Sequence, residues 1–121
     1  ADTYFMLGMS LYQQEKGLIA LAHFQRAVEL NDADMDARFQ YGLCLAQTGQ
    51  IDNAIQELTV VIKQQPDHAD AYYNLGVAYM HKEDAEQAKS MFEQALHVQP
   101  DHLLAGHGKK QIEQFLQMKN K

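Results

Sequence analysis

The stretch that decides the fold reads QPDHADA at residues 65–71, and its first four residues recur as QPDH at residues 99–102. The same step of 34 residues separates other positions of matching size along the chain. These positions are three glycines, three alanines and three large apolar residues: Gly8, Gly42, Gly76, Ala20, Ala54, Ala88, Phe24, Leu58 and Phe92. A fixed period of this length is the signature of a repeat array. The sequence therefore predicts three units, at residues 1–34, 35–68 and 69–102, followed by a segment at 103–121.

Each unit is predicted to contain two helices of about 14 residues, a common length for helices in globular proteins. Pro66 and Pro100 end the second helix of their units, because proline cannot continue a helix. Gly49 is expected to end the first helix of the second unit. Asp67 and Asp101 are expected to accept hydrogen bonds from the free N–H groups at the start of the next helix.

The recurring glycines require a steric explanation. Glycine inside a helix costs about 1 kcal/mol relative to alanine, and this cost occurs three times at the same phase. The partner helix is therefore expected to approach too closely for a Cβ atom. We expect the recurring alanines to face the glycines, with Phe24, Leu58 and Phe92 filling the space one turn further along.

Composition restricts the classes of function. The chain has 121 residues, 46% of them hydrophobic, which suits one soluble globular domain. A formal charge of −6 argues against nucleic acid as a partner, because phosphate binding requires basic residues. No apolar run is long enough to cross a membrane. The single cysteine, Cys44, lies in an apolar run and is predicted to be a buried hydrophobe, and a cytoplasmic location fits it.

Compared position by position, the chain resembles the tetratricopeptide repeat family. The third unit carries the pattern most fully, with Tyr72, Leu75, Gly76, Tyr79, Ala88, Phe92, Ala95 and Pro100. The second departs most, with Arg38 at an aromatic position, and residues 37–42 and 68–74 are similar to a small bacterial member of the family. The resemblance implies an all-α fold: a right-handed superhelical α-solenoid of three helix hairpins with a C-terminal capping helix.

The resemblance also implies a function, a non-catalytic scaffold that binds a protein or peptide in the concave groove lined by the first helix of each hairpin. Read at the groove positions of the family, this sequence supplies Phe5, Met9, Tyr12, Asp36, Phe39, Gln40, Leu43, Asp70, Tyr73, Asn74, Val77 and His81.

Several of these groove residues have two interpretations. Asp36 and Asp70 are either ligand contacts or favourable partners of the helix dipole, and the two roles are compatible. Phe39 and Tyr73 either widen an apolar binding surface or pack against the next helix. Amides at the phase of Gln40 and Asn74 grip a peptide backbone in relatives.

The chemistry of the partner follows from the same groove positions. No cation stands where relatives that grip a carboxylate place one. The predicted partner is therefore a protein or peptide with an apolar anchor and neutral or basic character, either extended or helical.

The two ends of the array are expected to differ. At the C-terminal end, Leu104, Gly108, Ile112, Phe115 and Leu116 fall on one helical stripe that is predicted to pack onto the last repeat. At the N-terminal end, residues 4–12 are apolar nearly all round a helix. We expect this helix to be covered, either by further repeats of a longer array or by a partner or second copy. The alternative function is accordingly a structural or self-associating segment.

An enzyme is the least favoured hypothesis. The sequence contains no glycine-rich phosphate loop, nucleophile elbow or HExxH motif. Its histidines lack the spacing of metal ligands, and His68 and His102 are expected to serve at helix junctions. The prediction is no catalytic residue, no metal site and no cofactor.

Overall fold

The computed structural model describes residues 18–119, with the side chain of Lys119 excepted, and every regular element within them is an α-helix. The first, α1, covers residues 18–30 of the described part. The others are α2 (Met35–Gln47), α3 (Ile51–Gln64), α4 (Ala69–His81), α5 (Ala85–Val98) and α6 (Leu103–Lys119).

The helices form hairpins that stack on one another. α2 packs on α3 and α4 packs on α5, while α3 also contacts α4 and α5 contacts α6. The first helices of the hairpins meet as well, because α4 contacts both α2 and α6. Each hairpin thus buries its apolar face against its neighbours, as in a solenoid.

The core of the last hairpin is centred on Phe92, whose side chain is fully buried. Its ring lies over Gly76 of α4 on one side and over Gly108 of α6 on the other. A Cβ added at Gly76 would lie 2.6 Å from the Phe92 ring, and one at Gly108 would lie 2.7 Å from it. Leu58 covers Gly42 in the same way, with a separation of 3.0 Å. The large side chain covers each glycine directly rather than one turn further along. The recurring alanine also faces Gly42, because the Ala54 carbonyl lies 3.7 Å from a Cβ added there.

The starts of α2, α4 and α6 are capped by the last residue of the preceding 34-residue unit. Asp34 accepts a hydrogen bond from the N–H of Ala37 at the start of α2 (3.1 Å). His68 does the same for α4, and His102 accepts from the N–H of Ala105 in α6, through Nδ1 at 3.1 Å in both cases. The expected caps at Asp67 and Asp101 are therefore wrong by one residue, because the proline turn ends one position later.

The turns inside the hairpins use a left-handed residue. Gly49 has φ +87° after α2, and Glu83 has φ +61° after α4. In both turns the N–H of the next residue donates a hydrogen bond to a carbonyl of the preceding helix. Gln50 donates to Leu45 O, and Asp84 donates to Tyr79 O. The left-handed region costs a residue with a Cβ atom about 1 kcal/mol or more.

Arg38 stands where the third repeat has Tyr72, and a charged pair takes the place of the aromatic ring. Its Nη1 donates to Glu57 Oε2 of α3 at 2.5 Å, and Nη2 donates to the carbonyl of Asp32. Both side chains of the pair are largely buried. At the position where this unit departs from the family pattern, the Arg38–Glu57 pair therefore maintains the contact between α2 and α3.

The C-terminal helix packs by part of the predicted stripe, since Gly108 and Ile112 are buried and Leu116 packs against the core around Phe92. Ala105, Gly108 and Ile112 are buried, as an interface with α5 requires. Leu104 and Phe115, however, are 57% and 54% exposed. The predicted packing stripe is wrong for these two residues, which lie to one side of the buried face. Helix α6 consequently presents apolar surface at Leu104 and Phe115.

The glycines beneath Phe92 allow a direct test. Gly76→Ala and Gly108→Ala are each expected to lower the free energy of unfolding by about 1–2 kcal/mol, because overpacking outweighs the gain in helix propensity. Gly106→Ala is the matched control, since nothing lies within 4 Å of its added Cβ. It should raise the stability by about 0.5–1 kcal/mol. Urea denaturation followed by circular dichroism measures all three, and equal effects of the three would contradict the packing described.

A second test concerns the histidine cap of α6. His102→Ala is expected to lower the free energy of unfolding by about 1–2 kcal/mol, because the N–H of Ala105 loses its acceptor. His102→Asn supplies a new acceptor and should recover much of that loss. Thermal unfolding of both variants checks the difference, and equal melting temperatures would show that the cap contributes nothing.

Candidate functional site

The predicted groove residues of the first unit, Phe5, Met9 and Tyr12, lie outside the described residues. The other nine all lie on the first helices α2 and α4. Asp36, Phe39, Gln40 and Leu43 on α2 are each 34 residues before Asp70, Tyr73, Asn74 and Val77 on α4.

The aromatic residues at the two equivalent positions contact the histidine cap of the following helix. The ring centroids of Phe39 and His68 are 4.5 Å apart. Those of Tyr73 and His102 are 5.4 Å apart, and Tyr73 also lies 5.8 Å from Phe92. Both aromatic side chains are half-buried. They therefore take part in packing against the next unit while keeping an accessible edge.

Asp70 is joined to this arrangement by a hydrogen bond. The distance from its Oδ1 to His102 Nε2 is 2.8 Å. Because Nδ1 of the same ring accepts from a backbone N–H, the ring proton must be on Nε2, which donates to the carboxylate. The His102 side chain is 7% exposed, whereas that of Asp70 is 66% exposed. A largely solvated carboxylate thus remains available beside the Tyr73 ring.

The equivalent carboxylate on α2, Asp36, is exposed in the first turn of its helix. No hydrogen bond or ion pair joins it to any side chain in the described part of the chain. Asp36 and Asp70 both lie near a helix N-terminus, so the dipole interpretation and the ligand interpretation both stay open.

The two amides are presented differently. Gln40 is exposed on α2. Asn74 is half-buried, and its Nδ2 donates to the carbonyl of Asp70 at 2.8 Å within the same helix. This bond uses one N–H of the amide and leaves its oxygen as an acceptor.

The remaining groove residues differ in burial. Leu43 and Val77 are half-buried, and Val77 packs against the core around Phe92. His81, the last residue of α4, is exposed. Val77 thus serves packing at least as much as it lines a surface.

Sequence reasoning placed His68 and His102 at junctions but did not identify them as caps stacked on the groove aromatics. The signal was present, because both are in phase with Asp34, a residue type that favours the N-cap position.

Within residues 18–119 no three metal-ligating side chains come together. Burial raises the pKa of the Cys44 thiol, which is 8% exposed, so the thiolate form is disfavoured as predicted for a structural cysteine. No helix in the described part of the chain has the length and apolar character needed to cross a membrane.

Comparison with solved structures supports the same architecture. YrrB, described as a TPR protein with an unusual peptide-binding site, is 50% identical, with a TM-score of 0.78 over 90% of this chain and 56% of its own. PcrH, solved in complex with the chaperone binding region of PopD, is 22% identical, with a TM-score of 0.76 over 98% of this chain and 92% of its own. The predicted all-α solenoid is confirmed, and so is the predicted similarity to a small member of the family, which is YrrB.

Sequence relatives agree with the structural ones. The BBSome complex member BBS4 of Xenopus tropicalis is 30% identical over 89 residues, which are 74% of this chain and 17% of that protein. The tetratricopeptide repeat-containing protein trd-1 of Caenorhabditis elegans is 27% identical over 102 residues, 84% of this chain and 13% of its own length. The chain therefore spans less than a fifth of these curated relatives.

The family of this chain is shown by sequence models of known protein families. Models of the tetratricopeptide repeat match residues 5–62 and residues 49–111. The second match alone covers more than half of the 121 residues, and both agree with the helix hairpins described above. This chain belongs to the tetratricopeptide repeat family.

Proposed function

We propose that this chain is a non-catalytic scaffold that binds a peptide segment of another protein along the surface formed by α2 and α4. The observation that carries the proposal is the repeated pair of a half-buried aromatic ring and an exposed carboxylate, Phe39 with Asp36 and Tyr73 with Asp70. An apolar patch with a polar border is typical of an interaction site. The family supports this role, because tetratricopeptide arrays mediate protein–protein interactions.

The charge of the surface favours a partner with neutral or basic character. Asp36 and Asp70 lie in the first turns of α2 and α4, and the whole chain carries a formal charge of −6. An acidic surface speeds the association of basic ligands and repels acidic ones. The partner would place an apolar side chain against Phe39 or Tyr73, and the amides of Gln40 and Asn74 would contact its backbone.

The similarity to YrrB favours a bacterial protein, and we propose a cytoplasmic location. Nucleic acid and membrane lipid are not proposed as ligands, since an acidic surface does not attract their phosphates.

The proposal is tested with a fluorescein-labelled peptide selected by this protein from a random phage-displayed library. Replacing Phe39 and Tyr73 together by alanine is expected to weaken binding at least about tenfold, because aromatic anchors dominate such interfaces. Fluorescence anisotropy measures the affinity. Asp36→Asn with Asp70→Asn should weaken binding of a basic peptide further at low salt than at high salt, because salt screens the charges.

The matched control is Leu30→Ala. Leu30 is 74% exposed at the end of α1 and is not one of the predicted groove residues. Circular dichroism establishes that each variant remains helical. Unchanged affinity of the folded double-alanine variant would refute the groove assignment.

A further inference from the structure

The C-terminal half of α6 lies beside the turn between α4 and α5, and a cleft of about 590 Å³ opens between them. On the turn side it is lined by Met80, Glu83 and Ala85, and on the α6 side by Gln111, Ile112 and Phe115. We call this the C-terminal cleft. Met80 stands at a groove position of the third unit, and the other lining residues lie outside the predicted groove.

The lining of the C-terminal cleft is mostly apolar and partly open to solvent. Met80 and Ala85 are half-buried, and Ile112 is 4% exposed at its base. Phe115 is 54% exposed at its edge, and Met118 one turn later is 76% exposed. Large apolar side chains clustered at an exposed cleft are characteristic of a binding surface rather than of a capped end.

Carboxylates border this apolar surface. An adjoining cleft is lined by Glu83, Asp84 and Glu86 at the turn and the start of α5, by Glu113 of α6, and by one ammonium group, Lys89. We call these four carboxylates the acidic rim.

Most of the nearby cations are already engaged. Lys89 lies 4.0 Å from Glu93, and Lys109 lies 3.8 Å from Glu113. Lys82 next to the rim is bound by Asp52 of α3, which raises the pKa of its ammonium group. Within the acidic rim, Glu113 is paired with Lys109, and Asp84 accepts from the N–H of Gln87 at the start of α5. Glu83 and Glu86 form no ion pair with the described residues and carry the excess negative charge. The excess negative charge selects a basic occupant.

Two residues of the cleft occupy the positions on α6 that correspond to groove residues on α4. Gln111 and Phe115 of α6 lie 34 residues after Val77 and His81 of α4. Because α6 contacts α4 directly, the surface of the first helices extends onto it. A segment running along α2 and α4 would therefore reach the cleft.

We propose that the C-terminal cleft is a further binding subsite, which takes an apolar side chain of a basic segment of the partner protein. It rests on the proposed peptide-binding function, to which it adds an anchor point and a direction. The apolar side chain lies between Met80 and Phe115, and basic side chains on either side face the acidic rim.

The test uses three labelled nine-residue peptides of alternating glycine and lysine: one with a central phenylalanine, one with a central serine, and one with the phenylalanine but glutamate in place of lysine. Binding is followed by anisotropy and by amide shifts in ¹⁵N-labelled protein. The phenylalanine–lysine peptide is expected to shift Ala85, Ile112 and Phe115, and to bind about tenfold more tightly than either other peptide.

Two sets of variants assign the site. Phe115→Ser should weaken the phenylalanine–lysine peptide about tenfold, and Glu83→Gln with Glu86→Gln about threefold to tenfold. Leu103→Ser is the matched control, since Leu103 is 77% exposed on the same helix but does not line the cleft. It should leave binding unchanged.

The outcomes separate this inference from the proposed function. Shifts confined to α2 and α4 with no effect of Phe115→Ser would overturn the subsite and leave the groove intact. Failure of all three peptides to bind would overturn the basic, apolar occupant, while the phage-selected peptide still tests the groove. Dimerisation in sedimentation velocity that Phe115→Ser abolishes would assign the cleft to a second copy and overturn the proposal.

Discussion

Three helices of the last hairpin and its cap are held together by one aromatic ring. Phe92 projects from α5 and is fully buried between Gly76 of α4 and Gly108 of α6. Because a Cβ atom at either glycine would overlap the ring, the Phe92 side chain limits how closely these helices approach. The preceding hairpin uses Leu58 over Gly42 in the same way. The spacing of the first helices, and with it the surface they form, depends on this contact.

The surface that we propose for binding is built from residues that also join the repeats. Phe39 and Tyr73 each pack on the histidine that caps the next first helix, so neither ring is free of the framework. This arrangement gives rigid anchors that lose little conformational entropy on binding. The C-terminal cleft differs, because Phe115 and Met118 are 54% and 76% exposed.

Much of the fold could be predicted from the recurrence of small and large residues. A glycine that recurs at the same position of three repeats has few explanations other than close packing. What covers each glycine could not be predicted, because residue size alone does not reveal which side chain of the facing helix lies opposite. The helix caps were predicted one residue too early, because an aspartate precedes each capping histidine and both side chains carry an acceptor. At α6, helical periodicity could not distinguish a buried face from an exposed apolar edge, so Leu104 and Phe115 were assigned to the wrong side.

The hydrogen bonds around His102 have a thermodynamic consequence for any ligand that reaches Asp70. The imidazole holds the start of α6 through Nδ1 and the carboxylate of Asp70 through Nε2. A cationic group arriving at that carboxylate must share it with the ring proton or displace it. Affinity at Asp70 and the docking of α6 are thus linked quantities, and linkage is reciprocal. Whatever strengthens one junction of the array changes how strongly its neighbouring surface binds.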